Sequence, residues 1–177
     1  MAKLSSGSEA IDGLLDGGYE EDIVSTVYGP AGSGKSTFCL LAALAAAKDK
    51  KVIFIDTEGG FSVERLKQLT KDHQKALKNI FLLKPTNFPE QEKAFEELKE
   101  RVKSNNDIGL IIVDTITMLY RLQRNDEEIM KTNRELGKQV GCLTEIARKQ
   151  NIPVLLTNQV YSPFDRKNRV EMVGGDI

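Results

Sequence analysis

The sequence predicts an α/β fold with a mostly parallel sheet flanked by helices on both faces. Three observations carry that expectation. Short apolar runs recur at residues 23–28, 52–56, 80–83, 110–114 and 154–158, with helical patterns between them. The runs are apolar throughout rather than alternating, as strands covered on both faces are. Four of them also end in polar residues: Gly29, Asp56-Thr57-Glu58, Asp114-Thr115 and Asn158-Gln159. Carboxyl ends of parallel strands are where such sheets bind ligands, so one polar edge is the expected site.

Taken in order, residues 23–28 (IVSTVY) form a β-branched run that stops at Gly29-Pro30, a strand meeting a loop. Residues 35–48 are rich in alanine and leucine and read as a helix. Residues 52–56 (VIFID) form a second strand. Residues 62–77 read as one helix, with Val63, Leu66 and Leu69 spaced three apart on one face. A third strand covers 80–83. Pro89 suits the first turn of the next helix, where its missing N–H costs nothing. That helix is expected to bury Ala94, Phe95, Leu98 and Val102 and to stop near Ser104-Asn105-Asn106.

Residues 110–114 (LIIVD) make a fourth strand. Ile129, Asn133, Leu136, Val140, Leu143 and Ala147 then step by 4, 3, 4, 3 and 4, the stripe of an amphipathic helix. Residues 154–158 (VLLTN) close the set. No repeat, low-complexity tract or Pro/Gly/Ser linker divides the 177 residues, so residues 1–177 are expected to form one domain.

Composition narrows the function classes. The chain is 40% hydrophobic and 29% charged, which excludes wholesale disorder. Lys+Arg total 25 against Asp+Glu 26, so any polyanion must be held by a local patch rather than a basic coat. Cys39 and Cys142 stand far apart with no CxxC or Cys/His cluster, against a disulfide framework or structural zinc. The first 20 residues lack a signal-peptide pattern, and the apolar run at 38–47 is short of the ~20 residues that span a membrane. A soluble protein of a reducing, cytoplasmic compartment is expected.

The most specific signal is Gly29-Pro30-Ala31-Gly32-Ser33-Gly34-Lys35-Ser36-Thr37, which satisfies GxxxxGK[ST] between a strand and a helix. Its glycines let successive N–H groups face an anion, and the helix adds its positive end. Lys35 supplies a point charge to the β/γ-phosphates, and Ser36 a hydroxyl ligand for Mg²⁺. Asp114 ends a strand, as any acid in a parallel sheet can. Beside a phosphate loop it is the expected second anchor for Mg²⁺.

Glu58 could polarise a water beside the γ-phosphate or be a surface turn acid, and Gly59-Gly60 suggests close backbone approach there. At Asn158-Gln159 an amide could donate to a γ-phosphate, or simply end a strand. Arg121 and Arg124 stand in an expected loop after Asp114. Arg166, Lys167 and Arg169 lie in a second loop, 160–176, where Asp165, Glu171 and Asp176 cancel their charge. On count alone that loop is no basic patch. The lone His73 carries no role.

The order of these motifs resembles the RecA-type recombinase family. Residues 4–15 (LSSGSEAIDGLL) resemble its entry segment before the phosphate loop. Residues 54–66 (FIDTEGGFSVERL) resemble the second strand of archaeal recombinases and their paralogues. Residues 151–160 (NIPVLLTNQV) resemble the strand leading to the second DNA-binding loop. The likeness spans essentially the whole chain and is nearest to a short archaeal paralogue.

It implies a RecA-like P-loop NTPase core that uses ATP and Mg²⁺. Within it, Glu58 would activate water, Lys35 and Gln159 would contact the γ-phosphate, and Arg65 would stack on adenine. The loop with Arg121 and Arg124 and the loop with Arg166, Lys167 and Arg169 would face DNA, most naturally single-stranded. The implied activity is a weak DNA-dependent ATPase in homologous recombination and DNA repair. The implied partners are the main archaeal recombinase or other recombination proteins, and further copies of the chain.

An ATP-gated mediator that hardly turns over is the alternative. A small-molecule kinase would need an arginine-bearing lid and an acceptor pocket, neither identifiable here. The family's helix-hairpin-helix domain and Phe-x-x-Ala joining motif are not found ahead of Gly29. The family also continues into further strands beyond the second loop, so a core lacking its C-terminal strands is expected.

Overall fold

The computed structural model describes residues 2–123, 129–161 and 171–172. At the amino end β1 (Lys3–Leu4) pairs antiparallel with β2 (Tyr19–Glu20), and α1 (Glu9–Leu14) lies between them. Asp12 ties this unit together by accepting from Ser5 Oγ at 2.6 Å and from the Ser6 amide at 2.7 Å. Lys3 Nζ donates to the carbonyls of Leu15 and Asp16 beyond α1, where carbonyls lack intrahelical partners. Gly18 is required at φ 126°, because a Cβ there would lie 2.1 Å from the Leu4 carbonyl oxygen.

The main body follows as β3 (Val24–Gly29), α2 (Lys35–Ala46), β4 (Lys51–Asp56), α3 (Val63–Leu69), α4 (His73–Leu77), β5 (Ile80–Leu83) and α5 (Phe88–Ser104). It continues with β6 (Ile108–Asp114), α6 (Met118–Gln123), α7 (Ile129–Gln150), β7 (Val154–Tyr161) and β8 (Glu171–Met172). The strand order is β3-β7-β6-β4-β5, every neighbouring pair parallel, and β8 joins β7 antiparallel. The α/β class and all five expected strands are therefore present.

Alternation along each strand decides which helix layer a side chain meets. Ile53, Ile55, Ile111, Val113, Val154 and Leu156 pack with α5, α6 and α7. Val52, Phe54, Leu110, Ile112 and Leu155 pack with α2, α3 and α4. Asp56 and Asp114 continue the second set, so parity alone puts both carboxylates on the side of α2. Strand register sets them side by side, Asp56 opposite Asp114, and sets Gly29 opposite Gln159. The start of the phosphate loop and the end of the fifth strand are thus neighbours by backbone pairing.

Three expectations need correction. Residues 62–77 form two helices, because Thr70 is extended and its hydroxyl accepts from the Asp72 amide at 3.1 Å, turning the chain. Residues 115–123 are not all loop, since they include α6, too short for a helical period to register. On α7 the buried stripe is Thr132, Leu136, Gln139, Leu143 and Ala147, whereas Asn133 is exposed and Ile129 and Val140 are half-buried. The helix is rotated so that Gln139 turns inward, where it accepts from Gln91 Nε2 at 2.7 Å.

Cys39 on α2 is buried and Cys142 on α7 half-buried; both are free thiols whose pKa values burial raises. They pack as small apolar groups. Among the described residues no helix is long and apolar enough to cross a membrane.

Candidate nucleotide site

The loop from Gly29 to Gly34 curls between β3 and α2 with Gly32 and Gly34 at φ 75° and 90°. Both values lie in the left-handed region that a side chain resists. Gly29 is small for a second reason: a Cβ there would sit 2.6 Å from Ser33 Oγ. Lys35 is only 7% exposed, and its Nζ donates to the carbonyls of Gly29 at 3.2 Å and Pro30 at 3.0 Å. The first amides of α2 have no intrahelical acceptor, and Gly34 as N-cap brings no side chain to cover them. The ammonium is therefore held against the loop beside the positive end of a helix.

A cleft of about 260 Å³ lies over this loop, lined by Ala31, Gly32, Gly34, Lys35, Ser36, Thr37, Glu58, Arg65 and Gln159. Residues from three separate strand ends and from α3 meet there. A larger hollow of about 430 Å³ between α2, α3 and α4 shares none of these residues.

Asp56 shapes the segment that carries Glu58. Its Oδ1 accepts from the Gly60 amide at 3.0 Å and its Oδ2 from the Phe61 amide at 3.1 Å. Phe61 is buried edge-on against Phe54, with ring centroids 5.1 Å apart, so the loop is anchored at both ends. Glu58 between them is exposed. Its pKa is pushed above the ordinary glutamate value by partial desolvation, then by the charges of Asp114 and Asp56, against the pull of Lys35 and Arg121.

Arg65 follows Ser62, whose hydroxyl caps α3 by accepting from the Arg65 amide at 3.1 Å. The Arg65 guanidinium reaches across to donate to Thr37 Oγ1 at 3.0 Å, closing one side of the cleft.

Asp114 is fully buried. Thr157 Oγ1 donates to its Oδ1, while Oδ2 has no partner among the described residues. A Cβ built on Gly60 would lie 3.0 Å from Ser36 Oγ and 3.3 Å from Asp114 Oδ2, so both oxygens face the same small space. A buried carboxylate oxygen without a donor and a hydroxyl beside it suit a hard cation that completes its shell with water and phosphate. Ser36 and Asp114 fit Mg²⁺. If the cleft takes ATP as the resemblance implies, Gly60→Ala is expected to lower Mg²⁺-dependent ATP affinity by about tenfold and to leave metal-free ATP binding unchanged. Calorimetric titration with and without Mg²⁺ measures both.

Beyond Asp114 the polar strand ends are knitted together. Thr57 Oγ1 donates to the Thr115 carbonyl at 2.8 Å and accepts from the Thr115 amide at 2.9 Å. Thr117 Oγ1 donates to Asn158 Oδ1 at 2.6 Å. Arg121, expected in a loop, stands on α6 and donates to Gln159 Oε1 at 3.4 Å. Arg124, Arg166, Lys167 and Arg169 lie outside the described residues. Sequence reading placed Asp56 and Thr115 at the polar edge without assigning either a role, and it did not single out Thr117, which lies past the end of β6.

The profile of the Rad51 family matches residues 1–177. The DNA repair and recombination protein RadB of Methanobrevibacter smithii is 43% identical over 175 residues, 96% of this chain and 74% of the relative. Its namesake in Methanococcoides burtonii is 42% identical over 176 residues, 98% of this chain and 76% of the relative. The RadB of Thermococcus kodakarensis is 42% identical over 173 residues, 96% of this chain and 74% of the relative.

Proposed function

The chain belongs to the Rad51 family, as a relative of its archaeal RadB proteins, and from that premise we propose an ATPase whose nucleotide state sets its grip on single-stranded DNA. The family carries a role in DNA recombination and repair and a P-loop NTPase core. The finer reading rests on one observation: Lys35, Ser36, Glu58 and Gln159 line the same cleft.

Lys35, already charged and fixed, neutralises the β- and γ-phosphates as negative charge shifts during transfer. Ser36 and Asp114 would hold Mg²⁺, which would supply positive charge to offset what builds on the phosphate oxygens. Glu58 orients a water and takes its proton as the oxygen attacks the γ-phosphorus in line and the bond to the β-phosphate oxygen breaks, releasing ADP and phosphate. Arg65 covers the base, and Gln159 reads the γ-phosphate. Because Gln159 also accepts from Arg121, a change at the phosphate is felt on α6.

Arg121 and Arg124, with Arg166, Lys167 and Arg169, are the cations proposed to meet the DNA backbone. Slow hydrolysis in the cytoplasm, alongside the main archaeal recombinase and other copies of the chain, is the setting that the reading implies. Anisotropy of a labelled oligonucleotide tests it. Affinity in Mg²⁺-ATPγS is expected to exceed that in Mg²⁺-ADP by about tenfold or more. Equal affinity in the two states would contradict the proposal.

A further inference from the structure

We infer that Gln91 is a positioning residue that registers the segment between Asp114 and α6 against the end of β7. Gln91 lies on α5 and is fully buried. Its Nε2 donates to the Ile116 carbonyl at 3.1 Å and to Gln139 Oε1 on α7 at 2.7 Å. Burying long amides is costly unless their groups are paired. Yet Gln91 Oε1 and Gln139 Nε2 have no partner among the described residues. Two methionines would fill similar volume without that cost, so packing alone does not account for the pair.

The carbonyl that Gln91 catches does account for it. Ile116 lies two residues beyond Asp114, and the next residue, Thr117, donates to Asn158. Thr115 is bonded to Thr57 at the end of β4. Four residues beyond Thr117, Arg121 reaches Gln159. Tyr120, on the same short helix, packs edge-on against Phe88 at the start of α5 and donates to Asn133 Oδ1 at 2.6 Å. The segment is thus pinned to Thr57 beyond β4, to β7 by Asn158, and to the helix layer by Gln91 at Ile116 and by Tyr120 on α6. Among these ties Gln91 alone holds the stretch ahead of α6 to the helix layer through a backbone carbonyl. Freed from it, the stretch ahead of α6 would rest on Thr57, Asn158 and Tyr120 alone, and the register that sets Arg121 on Gln159 would loosen. The link to nucleotide state rests on the function proposed above; the pinning of residues 115–121 does not.

Gln91→Met, and the pair Gln91→Met with Gln139→Met, test the inference by amide hydrogen exchange and nucleotide titration. In both variants the amides of residues 115–121 are expected to exchange about tenfold faster, with β4 and α2 unchanged. Mg²⁺-ATPγS affinity stays within about twofold of wild type, while the ATP-to-ADP ratio of DNA affinity falls towards one. Wild-type exchange at residues 115–121 in either variant overturns the inference. So does a rise spread evenly over the chain in both, which would make Gln91 a core residue and nothing more. If the unaltered protein shows no nucleotide-dependent DNA affinity, the proposed function fails, and the exchange result still decides the role of Gln91.

Discussion

Lys35→Ala is expected to abolish measurable turnover, with kcat down by ~10²–10³. Its ammonium is buried and already bonded to the Gly29 and Pro30 carbonyls, so its charge is in place before the reaction. Nothing has to reorganise when negative charge shifts on the phosphates. Without it, the phosphates would approach Asp56, Glu58 and Asp114, three carboxylates at one sheet edge, with no fixed cation from the loop. Loss of one charge-assisted hydrogen-bonding group costs about 1.5–3 kcal/mol, so ATP affinity should fall by roughly 10- to 150-fold. Titration of ATP and single-turnover kinetics separate the two effects. The loop carbonyls that Lys35 leaves can take water at the open cleft, so far-ultraviolet dichroism should be unchanged.

Glu58→Gln is expected to do the converse, lowering kcat by ~10²–10⁴ while ATP still binds. The amide keeps the shape of the side chain and cannot accept the proton. Binding should be equal or slightly tighter, because a negative charge beside the γ-phosphate has gone. The wild-type pH profile adds an independent check. Glu58 works as a base only when ionised, and its pKa is raised by desolvation first and by Asp114 second. Activity is therefore fully present above that raised pKa and lost as pH falls through it. The acidic limb of kcat/KM should lie above the ordinary glutamate value and disappear in Glu58→Gln. A limb that persists in the variant would assign it to another group.

The parts of this molecule that could be read from the sequence are those encoded locally. Strands covered on both faces betray themselves as unbroken apolar runs, and residues 29–37 carry their chemistry in nine consecutive positions. Motif order did the rest: the likeness to RecA-type recombinases agrees with the Rad51 profile that matches the whole chain.

What was hidden depends on partners distant in sequence. The break between α3 and α4 comes from one threonine hydroxyl turning the backbone. The rotation of α7 follows from Gln139 meeting Gln91, 48 residues away. Asp56 looked like one more polar strand end until both of its oxygens were seen closing the Glu58 loop. Arg121 reaches Gln159 across 38 residues, on a helix too short to announce itself.

The most direct test of the account is ATP turnover by the purified protein, with and without single-stranded DNA, with Lys35→Ala as the blank. The account predicts slow hydrolysis that DNA stimulates and that vanishes in the blank. ATP bound through Lys35 but never hydrolysed, with or without DNA, would contradict it and leave a nucleotide-gated binding protein in place of an ATPase.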